Sequence, residues 1–412
     1  DMKNLFPIAV LLTVILLSSC STQKIEMSQG TWRGIVLLDT NDKSSAMPFL
    51  FRYGKDKNNK DEIIIINADE KIQVTEISYQ NDSVFIKLPV FKDEIKASVI
   101  SKDTIKGIYY HVGSRSKYSM PFVAYSKAAE RFENDGTDPA ADLTGRWEMT
   151  GDPGDSTEYK MIAEFQQKGK NITGTILTTS GDYRYLDGVV AGEKLVLSTA
   201  DGTHTLLVKA DIINGKLENG LIIGGPKWKD KWIAVKNDKA KLPPSDSVTK
   251  LKKDAGVIDF TFTDLNGKRV SLSDEKYKDK PVIVQLMGSW CPNCMDETRL
   301  FTDLYDTYSP KGLKIIGLCF ESADFEESKK RIERFVSQLN AKYDFLYAGE
   351  VGKNTKETLP FIEKLNGYPT TLYLDKNHNV VKIHTGFSGP GTGKYYGELK
   401  KDIISTIDKL VQ

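Results

Sequence analysis

The chain has 412 residues, more than one ordinary domain holds, so two or three domains are expected. Its 40% hydrophobic and 27% charged content suits a soluble globular protein, and four cysteines exclude a disulfide-dense scaffold. A net charge of +1 removes the electrostatic case for a nucleic-acid partner or a strongly anionic surface.

Residues 1–20 read as a secretory signal. Taking Met2 as the start, Met2-Lys3 is a short positive n-region, and residues 6–17 are an apolar stretch too short to span a bilayer. The stretch ends Leu17-Ser18-Ser19-Cys20, which resembles the bacterial lipobox. That resemblance implies lipidation of Cys20 and anchoring to a membrane; the alternative is a plain secretory signal with an incidental cysteine. Residues 21–29 are expected to be a polar tether.

Residues 30–127 alternate as strands do and contain no useful helix-period run, so an all-β domain is expected, a barrel or a sandwich. Residues 128–142 form a turn-rich linker, with a short helix expected over 127–132. Residues 143–236 repeat the first pattern. Gly145-Arg-Trp147 echoes Gly30-Thr-Trp32, and Gly220 followed by Trp232 echoes Gly107 followed by Phe122, as a duplication would produce. Trp32, Trp147, Trp228 and Trp232 invite a ligand-stacking role, but their recurrence favours core anchors. His111 and His204 stand alone, without metal-ligand spacing. Residues 237–254, lysine-rich with Pro243-Pro244, read as a partly extended linker.

Residues 255–412 alternate strands and helices, which predicts an α/β sheet with helices on both faces. A hairpin turns at Asn266-Gly267. The apolar run 282–287 predicts a buried strand. After it come Gly288-Ser289, Trp290-Cys291-Pro292-Asn293-Cys294 and a helix-like run. At a helix start, unpaired N–H groups and the helix dipole favour a Cys291 thiolate, and Pro292 loses no hydrogen bond there. Cys294, one turn on, is close enough for a small disulfide. A zinc half-site is the competing reading. It needs two more ligands, and neither Cys20 nor Cys319 has a partner at ligand spacing. Further on, a second apolar strand carries Cys319, read as a buried apolar residue, and a short helix is expected over 359–365. The stretch 385–393 reads as a glycine-rich loop, because it lacks the Lys-Ser/Thr ending of a phosphate cradle.

At these residues the chain resembles the thioredoxin family, and within it the membrane-anchored TlpA/ResA type of the bacterial envelope. The resemblance spans 255–412. Trp290 to Cys294 matches the active-site motif, and Tyr368-Pro369-Thr370-Thr371 matches the loop whose proline is cis in that family and faces the cysteines. Glu297 matches an acidic residue used in proton handling; an ordinary helix-surface glutamate is the alternative. Two departures stand out: Gln285 replaces the buried Asp of cytosolic thioredoxins, and the dipeptide between the cysteines is Pro-Asn. The fold expected is therefore multidomain: two all-β N-terminal domains, related by duplication, followed by an α/β thioredoxin-like domain.

The resemblance implies a thiol-disulfide oxidoreductase with catalytic Cys291, Cys294 and Glu297 and a redox disulfide Cys291–Cys294. It also implies client contacts at Trp290, Tyr368, Pro369 and Thr370, and no cofactor or metal. Its partners are disulfide-bearing client proteins and a membrane thiol-disulfide electron donor. Its place is the cell envelope, lipid-anchored and facing the periplasm. Reduction is the expected direction, although the residues leave oxidation open. A ligand- or partner-binding lipoprotein with an accessory redox domain is the second reading. A thiol peroxidase is a weaker third, since those enzymes lack the paired second cysteine.

Overall fold

The computed structural model describes residues 25–113, 117–128, 130–133, 136–253, 255–352 and 358–412. The expected leader 1–20, with Cys20, and residues 21–24 lie outside the described residues.

The first unit is a nine-stranded antiparallel meander from Gly30–Leu37 to Lys117–Ser126, in which the last strand returns beside the first. Strand alternation places Trp32, Val36, Ile63, Val84 and Phe122 inside. The second unit, from Gly145–Gly151 to Trp228–Lys236, is a ring, closed where Tyr159–Lys168 pairs with Asn171–Thr178. Both are barrel-like. The short strand Gly181–Asp182 folds back on the end of Asn171–Thr178, so a hairpin tip extends past the residues that pair with Leu186–Ala191.

The tryptophans behave as anchors. Trp32 and Trp147 are buried, and each indole donates to the carbonyl four residues earlier, Ser28 and Leu143, at 2.8 Å. Gly107 sits opposite Phe122 in the first unit and Gly220 opposite Trp232 in the second. Trp228 is half-buried, edge-on to Tyr183.

The third unit is a seven-stranded sheet. Its order is Arg269–Ser271, Thr261–Asp264, Asp344–Glu350, Lys314–Glu321, Val282–Met287, Thr370–Leu374 and Val380–Thr385. Val282–Met287 is central and fully buried, parallel to Lys314–Glu321 and antiparallel to Thr370–Leu374.

Four expectations are corrected. Residues 127–133 contain no helix among the described residues. The chain there carries Arg131 into the junction between the barrels, where it bonds Ser198 Oγ (3.1 Å) and pairs with Asp187 (3.3 Å). Segment 237–254 is not a free linker: Ser245–Val248 is a helical turn, and Lys250–Leu251 pairs with Ile362–Lys364. That pairing makes Ile362–Lys364 a strand where a helix over 359–365 was expected. Finally, the three long helices described do not lie on both faces of the sheet. Pro292–Tyr308, Phe325–Leu339 and Lys394–Leu410 all send side chains into the cluster holding Ile283 and Met287. Among the described residues the opposite face, with Val282, Val284 and Leu286, is covered by non-helical segments, including Ile258, Tyr277 and Phe361.

Candidate active site

The central strand ends at Met287, and Ser289 anchors the turn that follows. Its N–H and Oγ donate to the Glu321 carboxylate at 2.7 and 2.9 Å. Glu321 is fully buried at the end of the neighbouring strand, and burial pushes its carboxyl up to about 7 against the Ser289 bonds. The Trp290 indole donates to Phe320 O (2.9 Å) and lies edge-on to Tyr368.

Cys291 is the N-cap of helix Pro292–Tyr308, with Pro292 in the first turn. Its sulfur accepts the Cys294 N–H at 3.2 Å. Aligned N–H groups at this end of a 17-residue helix stabilise negative charge on that sulfur once the dithiol is reduced. Cys291 and Cys294 form a disulfide, their Cα atoms 5.2 Å apart. Cys291 is 5% exposed and Cys294 fully buried.

Glu297, one turn after Cys294, is buried rather than on the helix surface. Its carboxylate accepts from Thr371 Oγ1 (2.8 Å) and Gln285 Nε2 (2.9 Å). Gln285 Nε2 also reaches Cys294 O (3.3 Å), tying the carboxyl to the second cysteine's backbone. Both partners are uncharged, so burial dominates and pushes the carboxyl up to about 7, with the two hydrogen bonds opposing.

The Tyr368-Pro369 peptide is cis, and Tyr368 O lies 3.8 Å from the Cys291 sulfur. Tyr368 is half-buried and Pro369 buried. Thr370 points elsewhere: its buried hydroxyl bonds Gly367 O (2.8 Å) and Thr385 Oγ1 (3.1 Å), bracing the loop from within. The structure thus gathers Trp290, Cys291, Cys294, Glu297, Tyr368 and Pro369 and turns the Thr370 side chain away. Cys319 is fully buried, and burial raises its thiol well above the ordinary range. His384 pairs with Ser245 Oγ at 2.9 Å.

A family model described as Redoxin matches residues 252–399. The thiol-disulfide oxidoreductase ResA of Bacillus cereus is 32% identical over 123 residues, 30% of this chain and 64% of that protein. ResA of Geobacillus thermodenitrificans is 29% identical over 133 residues, 31% of this chain and 66% of its own. The C-terminal unit is thus similar to Redoxin domains and to ResA thiol-disulfide oxidoreductases. Among solved structures, a secreted thiol-disulfide isomerase of Corynebacterium glutamicum aligns with 42% of this chain and 96% of its own at 18% identity, with a TM-score of 0.32. The chain spans a little under two thirds of the length of the ResA relatives it matches first.

Sequence reasoning missed three participants in the redoxin site. Gln285 reads in the sequence only as the absence of an acid, yet its amide holds Glu297. Thr371 was part of the loop motif without a role. Glu321 carried a legible signal, a carboxylate closing the apolar run Leu318-Cys-Phe.

Proposed function

We propose that this chain is a thiol-disulfide oxidoreductase that reduces disulfides of client proteins through Cys291 and Cys294. The supporting observation is one arrangement: Cys291 caps the helix beside the Tyr368-Pro369 loop, Cys294 lies behind it, and an uncompensated carboxyl, Glu297, sits one turn below. In the reduced enzyme the Cys291 thiolate attacks a client disulfide. One sulfur–sulfur bond breaks, a mixed disulfide forms, and the leaving client sulfur departs as thiolate. Cys294 gives its proton toward Glu297, directly or through water, and attacks Cys291. The internal disulfide re-forms and the client leaves with two electrons, its two sulfurs taking up one proton by way of Glu297 and one from solvent. An external dithiol, which we assign to a membrane electron donor, restores the reduced state.

The test is insulin reduction by the full chain. Cys291→Ser should abolish turnover. Cys294→Ser should accumulate a mixed disulfide on Cys291 without turnover. Undiminished reduction by either variant would end the proposal. We further propose an envelope location, with Cys20 lipidated and the redox domain facing the periplasm, supported by the 1–20 pattern. Among the described residues no helix is long and apolar enough to cross a membrane. Mass spectrometry of the mature N-terminus should find acyl chains on Cys20, and an unmodified N-terminus downstream of it would overturn this part.

A further inference from the structure

The face around the dithiol is covered by the chain itself, from two sides. From the second barrel the hairpin tip Thr178–Asp182 lies on the redoxin domain. The Asp182 N–H points at Asn293 Oδ1 (3.4 Å), so one of the two residues between the cysteines is already engaged. The Asp182 carboxylate accepts the Gly389 N–H (2.6 Å). From the first barrel the turn Pro89–Phe91 reaches helix Phe325–Leu339. Arg334 donates to Phe91 O (3.2 Å), Leu88 O (3.1 Å) and Glu76 (2.7 Å). Val90 and Phe91 join the apolar cluster that contains Cys291, Cys294 and Met295. The crevice left between that turn and Ser289-Trp290 is about 20 Å³, room for a water and not for a peptide.

The glycine-rich loop 385–393 explains how the barrel comes so close. A Cβ on Gly391 would lie 2.8 Å from Arg184 O, and one on Gly386 2.7 Å from Thr179 O. Backbone of the second barrel fills the space side chains would take. Gly391 has no positive φ, so its own turn does not require glycine; the approach does. Arg184 adds a charge lock. Its buried guanidinium pairs with Glu70 of the first barrel, Asp201 of the second and Asp296, two residues after Cys294.

We propose that the two barrels are a built-in cap on the dithiol, seated on the surface a client would use, and that protein-sized disulfides react only after the redoxin domain undocks. This rests on the oxidoreductase reading for its purpose but not for its test. A client strand must reach the Cys291 sulfur past Asn293 and the Tyr368-Pro369 loop. In the docked chain the hairpin tip and the Pro89–Phe91 turn occupy those approaches. Apparent reactivity toward a large reagent then scales with the fraction of undocked molecules.

The experiment uses the reduced full chain and reads alkylation at Cys291 by peptide mass, with N-ethylmaleimide as the small probe and a polyethylene-glycol maleimide as the large one. Gly391→Leu wedges the second barrel away without removing a charge; Arg334→Ala releases the first barrel from a half-buried helix position. Each should speed large-probe labelling by about tenfold or more and small-probe labelling by less, because undocking becomes more frequent. Equal large-probe rates in wild type and both variants would overturn the cap. Circular dichroism checks folding, and if Gly391→Leu does not fold, Arg334→Ala decides alone. Insulin reduction is scored separately. Variants that alkylate fast yet reduce no insulin support the cap and count against the oxidoreductase reading.

Discussion

Glu297 is a carboxyl buried with two neutral donors, and that predicts both its chemistry and its cost. Its proton affinity is raised to about 7, close to where a thiol proton needs a base. Glu297→Gln keeps the volume and the hydrogen-bonding shape but cannot take a proton. Resolution of the mixed disulfide should slow by about tenfold or more, general-base assistance being worth at least that. Its formation should change little. The pH dependence of resolution near 7 should flatten, and stopped-flow traces showing an unchanged profile would assign Glu297 to packing. Stability follows the same proton. Because the folded affinity is raised, the carboxyl's contribution is fully present below its unfolded value of 4.5 and is lost as pH rises through about 7. The glutamine variant should therefore gain on wild type between those limits, by on the order of 3 kcal/mol, read as urea midpoints at both ends. The residue-scale chemistry was largely legible: Cys291, Cys294 and Glu297 stood out by spacing and resemblance. The burial that perturbs Glu297 was not, because it is set by tertiary packing, and even its hydrogen-bond partner Thr371 lies 74 residues away.

Helix Pro292–Tyr308 begins on a sulfur, and the cap and the nucleophile are the same atom. Serine is among the best N-cap residues and alanine among the poorest. Both Cys291→Ser and Cys291→Ala remove the disulfide, so their difference isolates the cap. The serine variant should be more stable by about 0.5–2 kcal/mol, and equal thermal midpoints would show that the helix start is held by packing instead. Elements with their own periodicity were readable in the chain: the buried strand over 282–287, the hairpin at Asn266-Gly267, the alternating strands of both barrels. Two short helices were not. Residues 127–132 and 359–365 carry helix-compatible sequence, but their backbones follow distant partners. Arg131 is drawn to Asp187 and Ser198, and Ile362–Lys364 to Lys250–Leu251. Local propensity is a weak prior where a few residues meet a strong nonlocal contact.

Across the whole molecule, Arg184 is a point where all three units meet. Removing a buried guanidinium that faces Glu70, Asp201 and Asp296 strips Glu70 of its buried charge partner and leaves Asp201 and Asp296 only His204 and Arg299. Arg184→Ala should destabilise the chain by about 3–5 kcal/mol and separate a single unfolding transition into steps, as the redoxin domain and barrels lose their shared charge. A calorimetric trace that stays single, with an unshifted midpoint, would refute that. Nothing in the sequence distinguished Arg184 from a surface arginine, since its partners lie 17 to 114 residues away. The glycines of 385–393 were visible, but their reason, the backbone of another domain, was not.

Under the proposed cap, the close approach of the Gly391 loop to the Arg184 carbonyl would also set a speed limit. A dithiol that cycles must meet two partners in each turnover, one that takes its electrons and one that returns them. Both arrive at the same sulfur, so both wait for the same separation of surfaces. Raising the concentration of either partner should then lift its half-reaction toward a common plateau, the frequency of that separation, rather than toward a ceiling of its own.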